Sequence, residues 1–69
     1  MTVDEALKKG TVLITFKSLN SGKEISRLYG ESPISSNPLS DKLIVVRIED
    51  KTIEDIERKT IIKWQLVDE

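Results

Sequence analysis

The fold of this chain is decided by residues 11–17, which read TVLITFK. Apolar side chains stand at every second position of this stretch, at Val12, Ile14 and Phe16. Successive side chains of a β-strand point to opposite faces, so this period of two predicts a strand with one apolar face. We therefore expect a sheet protein from residue 11 onward.

A second strand follows the first after a polar turn. Residues 20–22 read Asn-Ser-Gly, a typical turn composition, and the period of two resumes from Glu24 to Tyr29. Two such runs joined by a short Gly-containing turn are typical of a β-hairpin. We expect these two strands to be neighbours in the sheet.

Two more strands are expected in the second half of the chain. Residues 42–49 are rich in β-branched side chains and predict a central strand, which Asp50 and Lys51 end in a tight reversal. Residues 52–56 fit either one helical turn or a short strand that ends in a helical turn near residues 57–60. We favour the second interpretation.

The last strand is predicted at residues 61–67. Ile62, Trp64 and Leu66 alternate with Ile61 and more polar neighbours, so one face of this strand is wholly apolar.

A short helix is predicted before the first strand, over residues 2–9. Thr2 can cap its start, acidic residues stand in its first turn and lysines in its last, and Gly10 stands where a left-handed C-terminal cap is expected. Apolar residues at helical spacing form one face, which should pack on the sheet: Val3, Ala6 and Leu7.

This order of elements predicts a mainly β fold, a small five-stranded SH3-like or Sm-like barrel with a short N-terminal helix. Closing the sheet into a barrel would remove exposed strand edges and let few apolar residues share one core. The expected core consists of Val12, Ile14, Phe16, Ile25, Leu43, Val45, Ile53, Ile56, Ile62, Trp64 and Leu66.

The composition predicts one soluble domain over residues 1–69. The net charge is -1, so no overall field attracts nucleic acid, and the chain contains no cysteine and no histidine. Disulfides, thiolate nucleophiles and the usual zinc sites are thereby excluded. Without a secretory signal or a long apolar run, the expected location is the cytoplasm, with no membrane contact.

Four segments resemble a family of small tailed-bacteriophage proteins with an Sm-like, SH3-type barrel. They are the helix and first strand over residues 6–17, the polar turn at residues 21–24, the middle strand at residues 43–49 and the closing strand at residues 60–64. The family has no established activity. The resemblance therefore implies a barrel fold and a viral protein in the host cytoplasm, and it implies no catalytic residues.

One acidic cluster favours a solvated, charged hairpin over a metal site, because Lys51, Arg58 and Lys59 interleave with it. The cluster consists of Glu49, Asp50, Glu54, Asp55 and Glu57. No pattern indicates a catalytic cleft, so we expect a protein that is not an enzyme and has no cofactor.

The leading hypothesis is a binding module that contacts a host or viral protein through a barrel edge, through the loop at residues 30–40, or through both. Edge strands also permit self-association. The loop carries four residues that either cover an open end of the barrel or form a partner-binding lip: Pro33, Ile34, Pro38 and Leu39. Trp64 is interpreted as core, with a partly exposed protein anchor as the alternative.

The alternative function is binding of single-stranded nucleic acid. Basic side chains would follow the phosphate backbone, and Tyr29 would be a stacking platform for bases. The residues concerned are Lys8, Lys9, Lys17, Lys23, Arg27 and Tyr29.

Overall fold

The computed structural model describes residues 2–34, 37 and 39–67. It contains one helix, five strands and one 3-10 turn: α1 (Val3–Lys9), β1 (Val12–Lys17), β2 (Glu24–Glu31), β3 (Lys42–Arg47), β4 (Ile53–Glu57), the 3-10 turn (Arg58–Thr60) and β5 (Ile61–Leu66). The strands form one antiparallel sheet in the order β4-β3-β2-β1-β5. The predicted mainly β fold with a short helix is confirmed, and the sheet is open, with β4 and β5 as its edges.

β1 and β2 form the predicted hairpin. Their register runs from Val12 opposite Tyr29 to Lys17 opposite Glu24. The Ser18 N–H donates to the Lys23 carbonyl at 2.8 Å, and Gly22 takes a φ of 72°, a value that glycine adopts without a steric penalty. β2 extends past the start of β1, and residues 29–31 at its C-terminal end pair with β3.

The face of β5 that was predicted to be wholly apolar is broken by a bulge. Thr15 of β1 lies opposite Lys63, but the next residue, Phe16, lies opposite Ile61, so Ile62 is an extra residue on β5. Ile61 packs against the core, and Ile62 is 52% exposed. The prediction of Ile62 as a core residue is therefore wrong.

Ile53 is also wrongly predicted as core. The predicted strand and 3-10 turn at residues 52–60 are confirmed. Residues three apart on a strand point to opposite faces, so Ile53 and Ile56 cannot both be internal. Ile56 is 3% exposed and Ile53 is 47% exposed.

The core lies between two layers, the helix α1 and the sheet. It covers the inner face of the sheet, which is the face that carries Val12 and Ile14. The predicted helix face packs there. Tyr29, which is absent from the predicted core, is fully buried, and its ring centroid lies 6.3 Å from that of Phe16. The buried apolar residues are Val3, Ala6, Leu7, Val12, Ile14, Tyr29, Leu43, Val45 and Ile56, and Phe16, Ile61, Trp64 and Leu66 pack against them.

The helix begins in a reciprocal cap. The Thr2 hydroxyl accepts from the Glu5 N–H at 3.2 Å, and a Glu5 carboxylate oxygen accepts from the Thr2 N–H at 3.3 Å. Gly10 ends the helix with φ 168°, which is extended backbone, so the predicted left-handed cap is wrong. Its N–H still donates to the Ala6 carbonyl at 3.2 Å.

Arg58 joins three parts of the chain. Its Nη1 and Nη2 donate to the two carboxylate oxygens of Asp4 at 2.9 and 3.0 Å. Its Nε donates to the Ser40 carbonyl at 2.7 Å, and Nη2 also reaches the Asn37 carbonyl at 3.2 Å. The helix, the loop before β3 and the 3-10 turn are thus held by one side chain.

Candidate functional site

The outer edge of β5 carries backbone groups that pair with no described strand. The Val67 N–H donates to the Thr11 carbonyl at 3.0 Å, which marks residues 11 and 67 as a hydrogen-bonded pair. Along an antiparallel ladder, hydrogen-bonded pairs alternate with pairs that make no hydrogen bond to each other. The register places Trp64 and Leu66 in pairs of the second kind, so their N–H and C=O groups point away from β1. Because β5 is an edge of the described sheet, these groups form a template for another strand.

A groove of about 400 Å³ adjoins the start of this edge. Its apolar side chains include Leu19 from the hairpin turn, 73% exposed, and Ile62 from the bulge, 52% exposed. Lys17 and Lys59 also line it, and both are exposed. We call this the Leu19–Ile62 groove. Leu19 and Lys59 were not among the predicted site residues, because they lie far apart in the chain and only the folded sheet places them together.

A second groove of about 460 Å³ lies on the helix side of β5, lined by Val3, Arg58 and residues 61–64. Trp64 belongs to this groove and also packs against the core, while remaining partly exposed. The packing of Trp64 against the core agrees with the first interpretation, and its role as a protein anchor stays a prediction.

The loop residues of the leading hypothesis are exposed where the structure describes them. Pro33 is exposed, Ile34 is 54% exposed and Leu39 is 93% exposed; Pro38 lies outside the described residues. The exposure of Ile34 and Leu39 disfavours the interpretation in which they cover an open end of the barrel. The partner-binding lip stays a prediction.

The basic residues of the nucleic-acid hypothesis lie on different parts of the molecule. Lys8 and Lys9 are on the helix, and Lys17 and Lys23 flank the hairpin turn. Arg27 is half-buried opposite Ile14 on the inner face. The prediction that Tyr29 is a stacking platform is wrong, because its side chain is fully buried and no base could reach the ring.

The acidic cluster forms ion pairs, as expected for a charged hairpin, but with other cations than predicted. Arg47 pairs with Glu54 and, at 3.3 Å, with Asp50. Lys42 pairs with Asp55 at 3.3 Å and Glu57 at 3.9 Å, while Arg58 binds Asp4 instead. Within the described ranges, no group of three carboxylates could hold a metal ion.

Hydrogen bonding adjusts two pKa values in this hairpin. Hydrogen bonds from Thr52, whose N–H lies 3.1 Å from Oδ1 of Asp50, hold the pKa of Asp50 below its usual range. A hydrogen bond to Glu54 raises the pKa of Arg47, so this guanidinium remains charged.

The Tyr29 hydroxyl is buried without a hydrogen-bond partner among the described residues. Burial raises the pKa of Tyr29, and a contact from the Arg27 side chain, which does not reach hydrogen-bond geometry, lowers it. The charges around it belong to Arg27, Arg47 and Glu54. An unsatisfied buried hydroxyl is destabilising, because it loses its hydrogen bonds to water on folding.

Tyr29→Phe is expected to raise the free energy of unfolding by about 1 kcal/mol at neutral pH, because it removes the unsatisfied hydroxyl and keeps the ring. The wild-type protein is also expected to lose stability as the pH rises above 10, since a raised pKa favours the folded state only below the pKa of the unfolded chain. Urea denaturation of both proteins across this pH range tests both points. A clear loss of stability in Tyr29→Phe at neutral pH would show that the hydroxyl has a partner.

Comparison with protein-family models, curated proteins and solved structures found no match to this chain. In the part of the chain that the structure describes, no helix has the length and apolar composition needed to cross a membrane.

Proposed function

We propose that this protein is a non-enzymatic binding module that contacts a protein partner through the free edge of β5. The observation that carries the proposal is the bulge, which turns Ile62 outward beside an edge whose backbone groups pair with no strand among the described residues. An edge strand supplies hydrogen bonds for an added strand, and an exposed apolar side chain next to it supplies contact area. The exposed loop residues Ile34 and Leu39 offer a second apolar surface for a partner.

We further propose that the sheet is a variant of the SH3-like or Sm-like barrel and that the protein is a phage accessory protein acting in the host cytoplasm. The strand order β4-β3-β2-β1-β5 and the 3-10 turn before β5 support the barrel assignment, since β2 pairs with β1 over residues 24–29 and with β3 over residues 29–31. The viral setting is supported by the sequence resemblance alone.

Protein binding is favoured over binding of single-stranded nucleic acid because Tyr29 is buried. Bases bound by small barrels stack on exposed aromatic rings, and of the three aromatic residues of this chain Tyr29 is buried while Phe16 and Trp64 are only partly exposed. Lys17 and Lys23 remain exposed near the hairpin turn, so a direct test of oligonucleotide binding belongs with the protein test.

The proposal is tested by photo-crosslinking in bacterial cells with p-benzoylphenylalanine in place of Ile62, and in place of Lys51 as a control on the distant β3–β4 turn. We expect a discrete crosslinked protein at position 62 and none at position 51. The protein identified by mass spectrometry, once purified, should shift the amide NMR signals of Trp64 and Leu66 in the wild-type chain. No crosslink at position 62, or oligonucleotide binding that weakens steeply with salt, would contradict the proposal.

A further inference from the structure

The rim of the Leu19–Ile62 groove carries two lysines, with Glu24 opposite Lys17 in the hairpin and with Asp55 and Glu57 lining a pocket beside Lys17. Lys17 and Lys59 form no ion pair with any described residue. The carboxylates of Asp55 and Glu57, on the opposite edge strand β4, are already within 3.3 and 3.9 Å of Lys42. A ligand carboxylate at this rim would therefore meet two cations without displacing an existing ion pair.

The groove itself favours an apolar side chain. Leu19 and Ile62 are more than half exposed, and covering apolar surface is favourable by about 25 cal/mol per Å². The groove volume of about 400 Å³ is open to solvent at the point where β5 begins. Further along, Trp64 and Leu66 direct backbone N–H and C=O groups outward, which favours a ligand in extended conformation.

We propose that the Leu19–Ile62 groove binds an extended, acidic segment of a partner protein, with one apolar side chain of the segment between Leu19 and Ile62 and its carboxylates at Lys17 and Lys59. This inference rests on the proposed binding function of the β5 edge and specifies the chemistry of the partner. The groove contributes the apolar contact and the charge, and the edge contributes backbone hydrogen bonds.

The probe is a fluorescein-labelled peptide of about eight residues with blocked ends, in which Glu alternates with Val. Fluorescence anisotropy with the full chain should show binding, and the amide signals of Ile62, Trp64 and Leu66 should shift in NMR spectra. The same peptide with Lys in place of Glu should bind at least about tenfold more weakly, because the rim would repel it.

Two pairs of matched variants test the groove. The double variant Lys17→Gln with Lys59→Gln is expected to weaken peptide binding about three- to tenfold, since exposed ion pairs contribute modestly. The control double variant, Lys9→Gln with Lys51→Gln, changes the net charge equally and should not affect peptide binding. Ile62→Ser should weaken binding, whereas Ile53→Ser, a similarly exposed isoleucine on the opposite edge, should not. Both isoleucine variants should remain folded, because neither side chain is buried.

The outcomes separate this inference from the proposed function. A crosslinked partner at position 62 together with equal binding of the Glu and Lys peptides would overturn the acidic chemistry and leave the edge function standing. No crosslink and no peptide binding would overturn both. A dimer in analytical ultracentrifugation that Ile62→Ser dissociates would assign the groove to a second copy of the chain. Displacement of the peptide by a single-stranded oligonucleotide would assign the groove to nucleic acid. Either result overturns the inference.

Discussion

Ile56→Ala is expected to lower the free energy of unfolding by about 2–5 kcal/mol, which is the usual range for a buried isoleucine replaced by alanine. Ile56 is 3% exposed and pairs with Leu43 across β3 and β4, and both side chains belong to the core. A domain of this size has a total stability of about 3–10 kcal/mol, so the variant should be largely unfolded or melt at a much lower temperature.

The matched control is Ile53→Ala in the same strand. Ile53 is 47% exposed, so its replacement should lower the free energy of unfolding by less than about 1 kcal/mol. Urea denaturation followed by Trp64 fluorescence measures both variants, since this is the only tryptophan. Equal losses in the two variants would contradict the assignment of the two side chains to opposite faces of β4.

Arg58→Ala is expected to lower the free energy of unfolding by about 1.5–3 kcal/mol, the range for hydrogen bonds that involve charged groups. The variant loses the two-pronged contact with Asp4 and the hydrogen bonds to the carbonyls of Asn37 and Ser40. The Asp4 carboxylate, which is mostly buried in this contact, is left without its cation. The helix and the loop before β3 should then lose protection in hydrogen exchange before the sheet does.

The control for Arg58 is Lys59→Ala at the next position, whose side chain is exposed and unpaired among the described residues, and which should be nearly neutral. Arg58→Lys should recover only part of the loss, because an ammonium group cannot make the planar, two-pronged contact with a carboxylate. In a double-mutant cycle with Asp4→Asn, the two losses should be clearly less than additive. Additive losses would show that Arg58 and Asp4 act independently.

Strand positions were predictable because they depend on local periodicity. The alternation in residues 11–17, the Asn-Ser-Gly turn and the short strand followed by a 3-10 turn at residues 53–60 all appear in the structure. The start of the helix was predictable for the same reason, since Thr2 and Glu5 cap it within one turn. The left-handed cap at Gly10 was not found, because glycine permits several backbone conformations and the chain to β1 selects an extended one.

The choice of buried faces was predicted less well, and the errors have physical causes. The prediction of Ile62 as a core residue extends the alternation through the whole of β5. The register shift opposite Phe16 instead turns the Ile62 side chain toward solvent. The expected core omits Tyr29, which lies opposite Val12 and close to Phe16 on the inner face. The alternation of side chains within one strand shows neither the register shift between β1 and β5 nor the residue that lies opposite Tyr29.

By itself the sequence determined that this chain is mainly β, where its strands and helix begin and end within a few residues, and that its charges form no uniform field. Only the tertiary structure decided which strands are edges, that a bulge exposes Ile62, that Leu19 and Lys59 meet at one groove, and that Arg58 binds Asp4 across the molecule. The division has one physical reason. Backbone propensity and side-chain alternation act between near neighbours in the chain, whereas register and the contacts of distant residues depend on how the whole sheet minimises its exposed apolar surface.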